Sequence, residues 1–107
     1  MQTILQVVCS RGKSLREQIV NDARLEDSNL RVVKEKQPGR PHGWAKIAST
    51  QGGRGALNMV WDAQSDILLC RVVNKGAGTP HLIVGDFVDY LLARFLHRIN
   101  AVIIIPG

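Results

Sequence analysis

The chain has 107 residues, 45% of them hydrophobic, 5% aromatic and 21% charged, with a formal net charge of +5. This length fits a single domain over residues 1–107 and excludes two independent cores. The apolar share excludes wholesale disorder, and the shortage of aromatics requires an aliphatic core. No stretch approaches the roughly 20 apolar residues of a membrane span, so no membrane partner is expected. The first ten residues lack the basic start of a secretion signal and their apolar run is broken by Gln6. A cytoplasmic address is therefore the default expectation.

The charge is unevenly placed. Between residues 29 and 56 lie Arg31, Lys34, Lys36, Arg40, Lys46 and Arg54 against one acid, Glu35, while the remainder is balanced. Such concentration suggests a polyanion-facing surface, the alternative being a solvated hairpin face. Cys9 and Cys70 each sit inside an apolar run, which favours buried thiols over a disulfide. His42, His81 and His97 stand alone, without zinc-ligand spacing, so neither metal nor cofactor is expected.

In chain order, residues 3–8 read as a short strand. Ser14 and Glu17 have the spacing of a capping box, and Leu15 and Ile19 at helical intervals predict a helix over 15–25. Residues 30–36 read as a strand with Arg31, Lys34 and Lys36 on its charged side. Pro38, Gly39 and Pro41 then mark a turn, and a strand resumes over 44–49. A glycine-rich loop at 51–55 leads into two strands, 56–62 and 67–74, joined by a hairpin. The second is nearly all apolar apart from Arg71, which reads as a central strand with one cation needing a partner or a route to solvent. A helix from about Asp86 carries Val88, Leu91, Leu92, Phe95, Leu96 and Ile99 as its apolar stripe, with Leu92 deepest in the core. Phe87 and Tyr90 are left over as candidates for a partner surface. Residues 101–105 read as a buried strand stopped by Pro106.

Set in order, these elements predict an α+β (or α/β) domain: a central mixed sheet of about five strands flanked by two main helices. From Ser14 to Pro106 the order resembles the PD-(D/E)XK, or restriction-endonuclease-like, fold, with Holliday-junction resolvases similar in size. That resemblance implies a divalent-metal site on the hairpin, with the first carboxylate at Asn58, the second at Arg71 and a lysine at Val73. Only Glu17 fits the family pattern, so the resemblance implies a degenerate active site and no catalytic residues. Asp62, Asp66 and Lys75 are the elements of a migrated metal site, although aspartates at turns commonly serve the turn itself. The expected function is non-catalytic nucleic-acid binding, DNA ahead of RNA, through Lys34, Lys36, Arg40, His42, Lys46, Arg54 and Lys75. Trp44 and Trp61 are candidates for base stacking or for the core. The rival is a small accessory subunit or inhibitor that docks on a protein, and a homodimer is left open.

Overall fold

The computed structural model describes residues 2–52, 55–73 and 79–107. Strand β1 (Ile4–Cys9) leads to helix α1 (Leu15–Val20) and a 3-10 turn (Ala23–Ser28), followed by β2 (Leu30–Lys34), β3 (Trp44–Ser49), β4 (Ala56–Asp62) and β5 (Ile67–Val73). Helix α2 (Pro80–Phe95), a second 3-10 turn (Leu96–Arg98) and β6 (Ile99–Ile105) complete the chain. The strands form one sheet in the order β2-β3-β4-β5-β1-β6. The fold is α+β, as the sequence indicates, but the expected mixed sheet of about five strands is corrected. All six strands pair antiparallel, because β1, which the sequence pattern left at the margin, lies between β5 and β6.

Side chains alternate across a pleated strand, so pairing register sorts them into two faces. One cross-strand row joins Ala45, Met59, Cys70 and Leu5, and all four are buried. Leu57 and Val72, then Leu68 and Val7, continue that face on either side. Leu15 and Ile19 of α1 join the same apolar cluster, as do Ile83, Val84, Phe87, Tyr90, Leu91 and Phe95 of α2. Both helices therefore cover one face of the sheet. Cys9 and Cys70 are free and buried within it, and burial raises both thiol pKa values.

Helix α2 starts at Pro80, earlier than the expected Asp86, with proline in the first turn where a missing N–H is tolerated. The earlier start brings Ile83 and Val84 inward and rotates the buried stripe off Leu92, which is 42% exposed, and Leu96, which is 64% exposed. The expectation for Leu92 is thus corrected, and so is that for Phe87 and Tyr90, which are fully buried. Tyr90 can turn inward because its hydroxyl donates to Asp22 Oδ2 at 2.7 Å. The same oxygen accepts from Arg94 Nε at 3.0 Å, and Asp22 Oδ1 accepts from Arg94 Nη2 at 3.2 Å and from the Arg24 amide at 3.1 Å.

That aspartate also explains why α1 is shorter than the expected 15–25. Ser14 caps α1 by accepting from the Glu17 amide, as the box predicts, but the helix stops at Asn21. Asp22 then caps the 3-10 turn that follows, and Asn29 ends it in the left-handed region with φ 63°. At the other end of the chain, the expected buried strand is an edge strand. β6 has only β1 beside it, leaving Ile103, Ile104 and Ile105 43–46% exposed.

Replacing Leu91 by alanine is expected to cost about 2–5 kcal/mol in denaturant unfolding, and replacing Leu92 less than about 1 kcal/mol. Leu92→Asp should still fold cooperatively. The Arg94 hydrogen bond, followed by those from Tyr90 and Arg24, holds the Asp22 carboxyl down at about 2, against opposing desolvation. A carboxyl depressed in the folded state contributes stability that is complete above its unfolded value of about 4 and lost as pH falls through about 2. Asp22→Asn should therefore destabilise the protein at pH 7, and the gap between variant and parent should close between about pH 4 and pH 2.

Candidate nucleic-acid interface

The face of the sheet opposite the helices carries the other half of the strand residues. Its middle row runs Lys46, Asn58, Arg71 and Ile4 across β3, β4, β5 and β1. A register shift after Val32 brings Lys34 opposite Lys46, adding a cation from β2 to the same line. Lysines directly opposite one another repel, and Lys46 and Arg71 stand two strand spacings apart, roughly 10 Å. No carboxylate interrupts this row. The next row holds Trp44, Val60, Leu69, Gln6 and Ile103.

Trp44 is 1% exposed although it lies on this uncovered face and outside the apolar cluster. The loop joining β2 to β3 stands beside it, with the Arg40 guanidinium 5.3 Å from the indole centroid, a cation–π contact. The loop is held from the opposite side by Arg16, which is buried. Arg16 Nε and Nη2 donate to the Trp44 carbonyl at 3.1 and 2.9 Å, and Nη2 donates to the Glu35 carbonyl at 2.6 Å. Its remaining charge is met by the Glu17 carboxylate. Glu17, which the nuclease resemblance offered as a matching position, thus acts here through Arg16.

The loop rejoins the sheet through Gly43, whose carbonyl accepts from the Trp61 amide at 3.0 Å. A Cβ on Gly43 would stand 2.7 Å from the Trp61 carbonyl oxygen, which only glycine avoids. Trp61 belongs to the helix-covered side and packs against the core, so it is not part of this face.

Of the residues expected to bind nucleic acid, Lys34, Lys36, Arg40 and His42 are exposed, and Lys46 is half-buried. Lys34 and Lys46 meet on the uncovered face, Arg40 overhangs it, and Lys36 and His42 line a recess of the loop together with Glu35. Arg54 and Lys75 lie outside the described residues. Sequence reasoning treated Arg71 and Asn58 only as positions where carboxylates are lacking, whereas pairing places them on the uncovered face beside Lys46. It missed Arg16 altogether, since a buried arginine that binds backbone carbonyls leaves no side-chain pattern.

Of the residues of the migrated metal site, Asp62 and Asp66 flank the β4–β5 turn and Lys75 lies outside the described residues. Hydrogen bonds from Ser65 and from the Gln64 amide hold the Asp62 carboxyl below its ordinary value, which is turn chemistry. Among the described residues, no three His, Cys, Asp or Glu side chains gather around a possible cation position. None of the described helices is long and apolar enough to cross a membrane. No family model, curated protein or solved structure matches the chain.

Gly43→Ala is expected to lower stability by roughly 1–3 kcal/mol, because backbone must shift to admit the methyl group. Gly52→Ala, with open space around the added carbon, should stay within about 0.5 kcal/mol. Thermal unfolding of the two variants side by side checks the close approach.

Proposed function

We propose that the protein is a non-catalytic nucleic-acid-binding module whose contact surface is the uncovered face of the sheet at its β2–β5 end. The observation that carries this reading is the cross-strand row of Lys34, Lys46 and Arg71, with Arg40 beside it and no intervening carboxylate. Like charges placed opposite one another weaken a sheet, and a polyanion laid across them removes that repulsion. Lys36 and His42 extend the surface along the loop, and Arg54 and Lys75 are included as sequence neighbours of it. Phosphate contacts dominate in this reading, because Trp44, the tryptophan on the face, is already covered. DNA is favoured over RNA as the partner.

A nuclease-like scaffold with a degenerate active site remains the subsidiary part of this proposal. Asn58 and Arg71 are direct cross-strand partners where the resemblance implies metal-holding carboxylates, and an arginine there favours phosphate over a cation. The antiparallel placement of β1 between β5 and β6 departs from the mixed sheet that resemblance implies. Two free, buried cysteines fit a reducing compartment, and a cytoplasmic address belongs to the same proposal.

A second reading, a protein-docking subunit or homodimer, is favoured by one specific observation. β6 is an uncharged edge strand with three exposed isoleucines, a template for pairing with another strand. It predicts concentration-dependent association that Ile103→Lys abolishes.

If phosphates lie across the basic row, affinity for duplex DNA should fall with salt at a slope of about −0.9 per neutralised phosphate. The Lys34→Gln/Lys36→Gln pair should flatten that slope by about two units without loss of folding, both side chains being exposed. Arg11→Gln/Arg24→Gln should leave it nearly unchanged. Absence of binding at low salt, or equal flattening by both pairs, contradicts the proposal.

A further inference from the structure

Beneath Arg40 the uncovered face sinks into a pocket of about 390 Å³. Gln2, Arg40, Trp44, Asn58 and Arg71 supply its polar lining, with Val60 and Leu69 as an apolar wall. The size falls within the range of small-ligand sites, which run from about 300 to 1,000 Å³.

Two atoms of this lining are buried without a hydrogen-bond partner among the described residues: Trp44 Nε1, a donor only, and Asn58 Oδ1, an acceptor. Trp44 as a residue is 1% exposed. A buried donor or acceptor left unpaired is costly, and adjacent residues carrying one of each are unusual in a settled core. The two lie diagonally across paired strands, since Trp44 stands opposite Val60 and Lys46 opposite Asn58. Arg71, exposed on β5, makes no hydrogen bond or ion pair among the described residues, and Arg40 touches the indole face but no carboxylate. The pocket therefore presents two guanidinium groups without a carboxylate partner among the described residues, the Gln2 amide and an apolar wall, with one N–H donor and one acceptor buried in its lining.

We propose that this pocket binds a nucleotide through its terminal phosphate. A phosphomonoester is a compact anion with several acceptor oxygens, matched to two guanidinium forks approaching from the loop and from the strand. The indole N–H supplies a further donor to the phosphate or to the sugar. Asn58 Oδ1 accepts a hydrogen bond, and a sugar hydroxyl or base amino group provides the donor. Val60 and Leu69 then meet the apolar side of the sugar or base. A carboxylate ligand would satisfy the charge but leave Asn58 unanswered unless it also carried a donor.

The same chemistry has two sources, a free nucleoside monophosphate and the 5′-phosphorylated end of a strand. The second rests on the nucleic-acid reading, with the basic row of Lys34 and Lys46 carrying the strand that leads to the pocket. The first is independent of it.

The test uses the full chain, with adenosine 5′-monophosphate, adenosine and inorganic phosphate as probes. Binding is followed by the indole N–H resonance of Trp44 in NMR, identified by its loss in Trp44→Phe. The monophosphate is expected to shift that resonance in a saturable manner and to bind at least tenfold more tightly than adenosine or inorganic phosphate. Arg71→Gln should weaken it roughly ten- to hundredfold, in keeping with loss of a charge-assisted hydrogen bond, while the amide spectrum shows an intact fold. No saturable shift, equal affinity for inorganic phosphate, or an unaffected Arg71→Gln variant would overturn the proposal.

A parallel arm compares one oligonucleotide with a 5′-phosphate or a 5′-hydroxyl end. Tighter binding of the phosphorylated form, lost in Arg71→Gln, supports the strand end as the source. Equal binding of both forms, with no response to the monophosphate, overturns the pocket proposal and leaves the polyanion surface standing. Binding of the monophosphate without either oligonucleotide supports the pocket as a free-nucleotide site and overturns the surface.

Discussion

An antiparallel sheet has two faces, and both helices of this protein pack on the same one. That constraint organises the rest of the molecule. Every second residue of β1, β4 and β5 is committed to an apolar layer with Phe87, Tyr90 and Leu91 above it. Burial of this layer supplies the main driving force for folding, at about 25 cal/mol per Å² of apolar surface removed from water. The opposite residues of the same strands are released from that duty. Lys46, Asn58, Val60, Leu69 and Arg71 can then be selected for what they meet outside the chain, and their mixture of cations, amide and aliphatic groups is not that of a second core.

Two polar anchors fix how the helices join the sheet. Asp22 gathers the Tyr90 hydroxyl, the Arg94 guanidinium and the Arg24 amide, tying the 3-10 turn after α1 to the middle of α2. Arg16 reaches through from α1 to the carbonyls at the two ends of the β2–β3 loop. Hydrogen bonds to charged groups are stronger than neutral ones, and removal of either partner leaves buried groups unpaired. The helix-covered side therefore sets the position of the loop that overhangs the opposite face. Arg40 and Trp44 owe their places to an arginine on the far side of the sheet.

The functional reading follows from this separation of faces. Cations that are neutralised in a fold are usually found beside carboxylates, as Arg94 is beside Asp22. Among the described residues the row through Lys34, Lys46 and Arg71 contains no carboxylate, and the pocket beneath Arg40 is lined by a buried donor and a buried acceptor without partners. Both features support the proposal of a phosphate-bearing ligand. The exposed isoleucines of β6 occupy the other margin of the sheet, separated from Arg71 on β5 by β1 alone.

Local chemistry determined much of the chain from the sequence alone. The Ser14 cap, the turn around Pro38 and Pro41, the hairpin between β4 and β5 and the burial of both cysteines depend on contacts with near neighbours or on plain apolarity. The excess of positive charge between residues 29 and 56 was equally legible. Tertiary structure decided what depends on partners distant in sequence. The inward face of α2 followed Tyr90 to Asp22, 68 residues away, and so left Leu92 outside. β6 became an edge because β1, at the opposite end of the chain, took the interior position. Arg71 reads as an interruption of an apolar strand until pairing with Asn58 places it on the uncovered face. Alternation along a strand tells which residues share a side; only the packing of the helices tells which side faces water, and that choice determined the candidate site.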